Sequence, residues 1–139
     1  RGIITGITRG TNTNHIIRAA LESIAFQVND LIECLNKDMN NVIKQLNVDG
    51  GATKNNFLMQ FQSDILNLDI NRPKNIETTA LGAALLAGLT VKFWDSPDDF
   101  INIIKIDKTF TSKMNNKIRT SLLSGWQDAI SRTLTNKGE

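Results

Sequence analysis

The feature that most restricts the fold is a long stretch near the start of the chain in which apolar residues recur every three or four positions. It covers residues 14–38, and on a helix of 3.6 residues per turn it forms one continuous apolar stripe. Asn12, Thr13 and Asn14 offer side-chain oxygens that are suited to capping the start of a helix. The stripe consists of Ile16, Ile17, Ala20, Leu21, Ile24, Ala25, Val28, Leu31, Ile32 and Leu35. We predict a long amphipathic helix that buries one face against other elements.

Shorter segments after this helix alternate between strand and helix character. The predicted strands are residues 2–8, 45–49 and 68–72, and residues 104–110 are expected to be extended. The further predicted helices begin near Thr53, cover residues 78–89, start at Ser96-Pro97, and cover about 115–134. A strand, helix, strand order favours right-handed crossovers between parallel strands. We therefore expect an α/β fold with a mainly parallel sheet and a C-terminal helix.

The predicted sheet is thin for the number of helices around it. Its first strand has no obvious hairpin partner after it, and residues 78–89 are almost all small or apolar, which is typical of a helix buried on more than one side. Gly82 and Gly88 would permit close approach of a neighbouring backbone. The chain also begins with Arg1 and not with methionine. On these grounds we expect a piece of a longer protein, with the rest of the sheet preceding Arg1.

Composition places the chain among soluble globular domains. Its 139 residues suit a single domain, 40% are apolar and 22% charged, and no apolar run approaches the roughly 20 residues that cross a bilayer. Sixteen basic and fourteen acidic residues give a net charge of +2, which is too balanced to favour nucleic-acid binding. The single Cys34 excludes an internal disulfide and, with the single His15, cannot form a structural zinc site. We expect a cytoplasmic protein with no membrane or nucleic-acid partner.

The junction at Asp49-Gly50-Gly51 carries the strongest indication of a binding site. Glycine tolerates a positive φ and, because it lacks a Cβ, lets a ligand approach the backbone closely. A helix that follows such a turn points free N–H groups and its positive dipole end at the ligand, which favours phosphate. The pattern is neither GxGxxG nor GxxxxGK[ST], and a tight turn without a ligand is the commoner role of a glycine pair. Polar residues 54–56 fall in the first predicted helical turn, where an amide could bind a base or ribose or could simply face solvent.

The other polar candidates have ordinary structural explanations. His15 has no cysteine or serine partner nearby in sequence, so a packing or capping role is expected. Glu22 is expected to pair with Arg18 at the four-residue helical spacing. Asp49 ends a strand, where α/β sheets place functional groups, but a hydrogen bond to the glycine turn is the favoured role. Cys34 is expected to act as a small apolar side chain, and the two tryptophans and six phenylalanines as core residues.

Three segments carry a resemblance to a known family. The first is Gly2-x-Ile4-x-Gly6-Ile7, followed after seven residues by His15-Ile16-x-x-Ala19-Ala20-Leu21-Glu22. The other two are VDGGATKNNFLMQFQSDIL at 48–66 and TALGAALLAGL at 79–89, the latter followed by Phe93-Trp94. These long, gap-free segments resemble the FGGY carbohydrate kinases of the actin-like ATPase superfamily, and within that family the branch that phosphorylates glycerol. The resemblance extends over essentially the whole chain.

The resemblance implies a two-lobed enzyme with a ribonuclease-H-like core in each lobe and MgATP in the cleft between them. In such an enzyme an aspartate acts as base on glycerol, and the γ-phosphoryl group of ATP is transferred to give glycerol 3-phosphate. Carried onto this sequence, Gly51 would lie against the phosphate or ribose and Asn55 would reach the adenine, while Gly50 and Ala52 shape the turn. The family's catalytic aspartate, glycerol-binding residues and phosphate loop would all precede Arg1. We therefore assign this chain no catalytic residue and no metal ligand.

The same resemblance implies a domain organisation and a set of partners. Residues 1–139 would be the C-terminal part of the nucleotide-binding lobe, with a core at 1–94 and a tail at 95–139. The implied partners are ATP or ADP, the rest of the kinase chain and glycerol held by the missing lobe, and a homo-oligomer is compatible with the sequence. The piece alone is expected to be inactive, because phosphoryl transfer needs groups from several elements. Two alternatives stay open: a kinase of another polyol or sugar, and a non-enzymatic interaction module that uses exposed apolar surface.

Overall fold

The computed structural model of the protein describes residues 2–39 and 42–134, apart from the side chains of residues 101 and 102. Arg1 and residues 135–139, the two ends of the predicted domain, lie outside the described residues. The predicted long helix is confirmed as α1, Thr13–Met39. Asn12 Oδ1 accepts hydrogen bonds from the backbone N–H groups of Asn14 and His15 at 3.0 and 3.3 Å, and His15 Nδ1 accepts one from Asn12 N–H at 3.1 Å. The capping role predicted for His15 is therefore confirmed.

A three-stranded sheet lies beside the helices, in the order β1-β2-β3. Its strands are β1, Gln45–Asn47, β2, Asp69–Pro73, and β3, Ile106–Phe110. The pair β1/β2 is parallel and the pair β2/β3 antiparallel, so the prediction of an α/β fold holds but that of a mainly parallel sheet is wrong. The reason is that the chain returns to the end of β2 before β3 begins, since Lys74 N–H donates to Lys105 O at 2.8 Å. A strand that starts where its neighbour ends must run antiparallel to it.

The prediction of a strand at residues 2–8 is also wrong. These residues are exposed and form neither strand nor helix. A strand is stable only when a neighbour pairs with its backbone, and the described residues place no strand beside this segment. The sharp turn expected at Arg9-Gly10 is present, closed by a hydrogen bond from Thr11 N–H to Thr8 O at 3.0 Å.

The core forms where α1 meets the second helix, α2, Asn56–Leu66. The two helices bury Phe26 against Phe61, whose ring centroids are 5.6 Å apart in an edge-to-face arrangement. Ile65 of α2 and Ile70 of β2 are fully buried beneath them. The other buried apolar residues of this core are Ala25, Ile32, Leu58, Met59, Leu66 and Phe110. Burial of these apolar side chains holds α2 against the sheet, and it thereby holds the turn that precedes α2.

The C-terminal helix is confirmed as α4, Asn116–Ser131, and it docks on α1. Trp126 stacks on Phe26 with ring centroids 5.2 Å apart, and its Nε1 donates a hydrogen bond to Asp30 Oδ2 at 2.7 Å. The helix start predicted at Ser96-Pro97 is present as a 3-10 helix, Pro97–Ile103, with a capping box between Ser96 and Asp99.

The apolar helix α3, Thr78–Thr90, has the predicted extent but not the predicted burial. Leu85 is its one buried residue, and Leu86 is 66% exposed. Close approach occurs at Gly88, where the ring of Trp94 occupies the space that a Cβ would need, whereas a Cβ at Gly82 would meet nothing within 4 Å. The helix is therefore apolar on faces that no described residue covers.

Candidate functional site

The predicted site is a turn at the carboxyl end of β1, and Gly50 sets its shape. Gly50 has φ 83° and ψ 168°, a conformation that only glycine adopts without strain. Its N–H donates to Ile76 O at 2.8 Å, which fastens the turn to the loop before α3. Because β1 and β2 are parallel, their carboxyl ends lie at one edge of the sheet, where α/β proteins place ligands.

Gly51 begins a short 3-10 helix, Gly51–Lys54, and Gly50 together with this helix is called the glycine turn below. The buried Thr53 closes the turn from within, because its N–H and its Oγ1 both donate to Gly50 O, at 3.1 and 2.7 Å. Gly51 and Ala52 are exposed on the outer side. A Cβ built on Gly51 would meet nothing within 4 Å, so bare main chain borders open space there. The turn could therefore admit a ligand against its backbone.

Asn55 has a different position from the one that we predicted. The α-helix begins at Asn56 and not near Thr53, and Asn55 is its N-cap, with extended backbone at φ −77° and ψ 102°. Asn55 Oδ1 accepts hydrogen bonds from Phe57 N–H and Leu58 N–H, at 3.0 and 3.1 Å. Asparagine competes for backbone N–H groups in this way, which explains why it ends the 3-10 helix and starts the α-helix. Its oxygen is thus committed to the cap, and its Nδ2 donates no hydrogen bond among the described residues.

Asp49 does not bond to the glycine turn as we expected. Its Oδ2 accepts a hydrogen bond from Thr78 Oγ1, at the first residue of α3. Together with the bond from Gly50 N–H to Ile76 O, this contact brings the start of α3 to the same edge as the glycine turn. The edge is thus assembled from β1, β2, the glycine turn and the start of α3.

Arg72 is the polar residue of this edge that our sequence reading missed. It lies next to the end of β2, and its guanidinium bonds to the glycine turn, to α2 and to β3. A signal for it was available, because the parallel neighbour of the strand that leads into Gly50 ends at Arg72-Pro73. Side chains at the ends of adjacent parallel strands meet at one edge of the sheet.

The remaining sequence predictions have mixed outcomes. Arg18 and Glu22 form the predicted ion pair, at 2.6 Å between Nε and Oε1. Cys34 is exposed, so the expectation that it acts as a small apolar side chain in the core is wrong. Phe93 is 75% exposed, whereas Phe26, Phe61 and Phe110 are in the core as expected.

Within the described ranges, no three potential ligands cluster as a metal site would require, and no helix there has both the length and the apolarity to cross a bilayer.

Comparison with known proteins identifies the family to which the chain belongs. Residues 1–91 match the model of the C-terminal domain of the FGGY family of carbohydrate kinases. The chain therefore belongs to the FGGY family, and its fold is that of the actin-like ATPases. This confirms the family resemblance drawn from the sequence.

Curated relatives within this family that the chain resembles are glycerol kinases. Over 133 residues the chain is 54% identical to a glycerol kinase of Shewanella pealeana, covering 96% of this chain and 27% of that protein. Over 137 residues it is 50% identical to a glycerol kinase of Brevibacillus brevis, covering 99% of this chain and 28% of that protein. The chain thus spans little more than a quarter of the length of the curated relatives that it matches.

Solved structures agree with the same class. A crystal structure of Plasmodium falciparum glycerol kinase with ADP is 46% identical, superposes with a TM-score of 0.83, and covers 95% of this chain and 26% of that one. A xylulose kinase from Rhodospirillum rubrum superposes with a TM-score of 0.74 at 19% identity, covering 92% of this chain and 26% of that one. The second likeness concerns the fold alone.

Proposed function

We propose that this chain is the nucleotide-binding wall of a glycerol kinase, an enzyme that transfers the γ-phosphoryl group of ATP to glycerol and yields glycerol 3-phosphate. The observation that carries the proposal is the open main chain at Gly51, which lies at the carboxyl edge of parallel strands. The similarity to glycerol kinases, one of them crystallised with ADP, supports it. The longer chain that contains these residues is called the complete kinase below.

In this proposal each residue of the turn has its own part. Gly51 lies against the phosphate or ribose of the nucleotide, because its exposed backbone has no side chain to keep a ligand away. Gly50 supplies the positive φ and Ala52 the small outer surface that keep the turn open. Asn55 reaches the adenine with its Nδ2, since its Oδ1 already caps α2. The proposal keeps the division into a core at residues 1–94, which carries this site, and a C-terminal tail at residues 95–139.

The remaining chemistry belongs to the rest of the complete kinase. Phosphoryl transfer depends on positioning and on neutralisation of charge by Mg²⁺ and by donors from several elements. We assign to this chain neither the base that activates glycerol nor a ligand of Mg²⁺. We therefore expect the 139-residue chain to be inactive by itself. The acceptor is chosen outside these residues, so a kinase of another polyol or sugar is the first alternative.

A second alternative is an interaction module without enzymatic activity. It is favoured by the exposed apolar surface of α3 and of its C-cap, where Leu86 and the C-cap residue Val91 are 66% and 76% exposed. The two readings differ in the role they give the glycine turn, because an interaction module has no need of open main chain at Gly51.

Substitution of Gly51 tests the proposal. We expect Gly51→Ala, and more strongly Gly51→Leu, to raise the KM for ATP in the complete kinase, because the side chain enters the nucleotide's space. Gly51 has no positive φ and an added Cβ meets nothing within 4 Å, so neither variant should disturb the fold. The matched control is Gly125→Ala in α4, where a Cβ also meets nothing within 4 Å. Steady-state kinetics with ATP and with glycerol varied in turn measure the effect, and an unchanged KM for ATP in Gly51→Leu refutes the assigned contact.

A further inference from the structure

Arg72 forms a network of hydrogen bonds that has no role in the proposed function as stated above. Its side chain is 13% exposed, and the guanidinium carbon lies 5.4 Å from the centre of the Phe110 ring. Nη1 donates to Thr53 O and to Asn56 Oδ1, both at 2.9 Å. Nε and Nη2 donate to Asp107 Oδ2, at 3.0 and 2.7 Å. One side chain thus joins the glycine turn and α2 to strand β3.

The two groups that Nη1 holds lie on either side of Asn55 in the sequence. Thr53 belongs to the 3-10 helix that starts at Gly51, and Asn56 is the first residue of α2. The backbone changes from 3-10 to extended to α-helical between them, so its path there is not fixed by a single helix. Arg72 fixes that path by holding both ends of the change.

Arg72 is itself held in place from behind. Asp107 receives two of its N–H groups, and the ring of Phe110, which is buried, lies under the guanidinium plane. The guanidinium spreads five N–H donors over three nitrogens in a rigid plane and can reach separated acceptors at once, whereas lysine has all its donors on a single nitrogen. The strand β3 and the tail that carries it are therefore coupled to the glycine turn through one residue.

We propose that Arg72 is a positioning residue for nucleotide binding: supported by Asp107, it fixes the glycine turn and Asn55 in the geometry that receives ATP. The inference rests on the proposed function and adds a residue that does not itself touch the nucleotide. Loss of the Arg72 guanidinium lets Asn55 and Gly51 move relative to each other. This movement weakens the binding of ATP, because the two residues contact different parts of the nucleotide. In the proposed function the acceptor is chosen outside these residues, so the inference concerns the nucleotide alone.

The test uses the complete kinase with Arg72→Lys, Arg72→Gln and Asp107→Ala. We expect Arg72→Lys and Arg72→Gln to raise the KM for ATP about tenfold, equivalent to roughly 1.4 kcal/mol, with the KM for glycerol unchanged. Asp107→Ala should act in the same direction but less, because Arg72 keeps its bonds to Thr53 and Asn56. The control is Arg132→Gln, which removes an exposed pair with Asp128 at 2.6 Å and should leave both KM values unchanged.

Two further readouts separate positioning from a general loss of structure. Thermal unfolding measures stability, and titration with ADP measures nucleotide affinity in the folded protein directly. A purely structural role would lower the unfolding temperature and the active fraction but leave the KM for ATP and the ADP affinity of the folded enzyme unchanged. That result overturns the inference. If the Arg72 variants bind nucleotide normally while Gly51→Leu does not, the inference alone fails; if all of them bind normally, the proposed function fails with it.

Discussion

In the proposed function Asn55 combines two tasks within a single amide group. Its oxygen accepts two backbone hydrogen bonds that start α2, and its nitrogen would bind the nucleotide. A residue that only capped the helix could be serine or aspartate as readily as asparagine. The capping task and the proposed nucleotide task can therefore be separated by substitution.

We expect Asn55→Ser and Asn55→Asp to keep the stability of the complete kinase but to raise the KM for ATP, because both retain a capping oxygen and lack the amide N–H₂. Asn55→Ala should raise the KM and also lose about 1 kcal/mol of stability, since it removes the cap. Kinetics and chemical denaturation measure the two effects. Equal KM values for ATP in wild type and Asn55→Ser would contradict the adenine contact.

Ser63 connects helix α2 to strands β2 and β3. Its side chain is fully buried, and Oγ lies 2.7 Å from Leu68 O and 3.0 Å from Phe110 O. Leu68 immediately precedes β2, and Phe110 ends β3. This hydroxyl therefore fixes the distance of α2, and of the glycine turn before it, from the sheet.

Ser63→Ala removes a buried donor and leaves two carbonyl groups without it. We expect a loss of about 1–3 kcal/mol in the free energy of unfolding of the complete kinase. The matched control is Ser131→Ala, where the hydroxyl donates to Asp128 O on the exposed end of α4 and the change should be small. Chemical denaturation monitored by circular dichroism compares the two, and an equal effect would mean that burial of the hydroxyl is not what matters.

Local sequence patterns predicted the helices and the glycine turn, whereas contacts between residues distant in sequence determine the partners of Arg72 and the direction of β3. The three- and four-residue spacing of apolar side chains predicted α1, and Gly50-Gly51 predicted a turn at a strand end, because both signals lie within one short segment. The partners of Arg72 are 16, 19 and 35 positions away, so no local pattern contains them. The direction of β3 depends likewise on where the chain returns to β2. The glycine turn could thus be found from sequence, and the network that holds it could not.

Helix α3 and the residues just after it carry apolar side chains that no described residue covers. Leu86, Val91 and Phe93 are 66%, 76% and 75% exposed. The chain spans little more than a quarter of its curated relatives, and in the proposed complete kinase the remaining residues would be available to cover this surface. Large contiguous apolar patches are typical of interfaces, and we expect this surface to be an interface between two parts of the complete kinase.

Leu86→Lys tests whether α3 is an internal interface in the complete kinase. If the helix is covered there, the substitution buries a charge and removes a packed side chain, and we expect a loss of about 2–5 kcal/mol in stability. Leu134→Lys is the matched control, because Leu134 is 69% exposed beside the polar Arg132 and Thr133 and should change stability by less than about 0.5 kcal/mol. Thermal and chemical denaturation compare the two variants. An unchanged stability in Leu86→Lys would mean that α3 faces solvent in the complete protein as well, and would favour the interaction module over the internal interface.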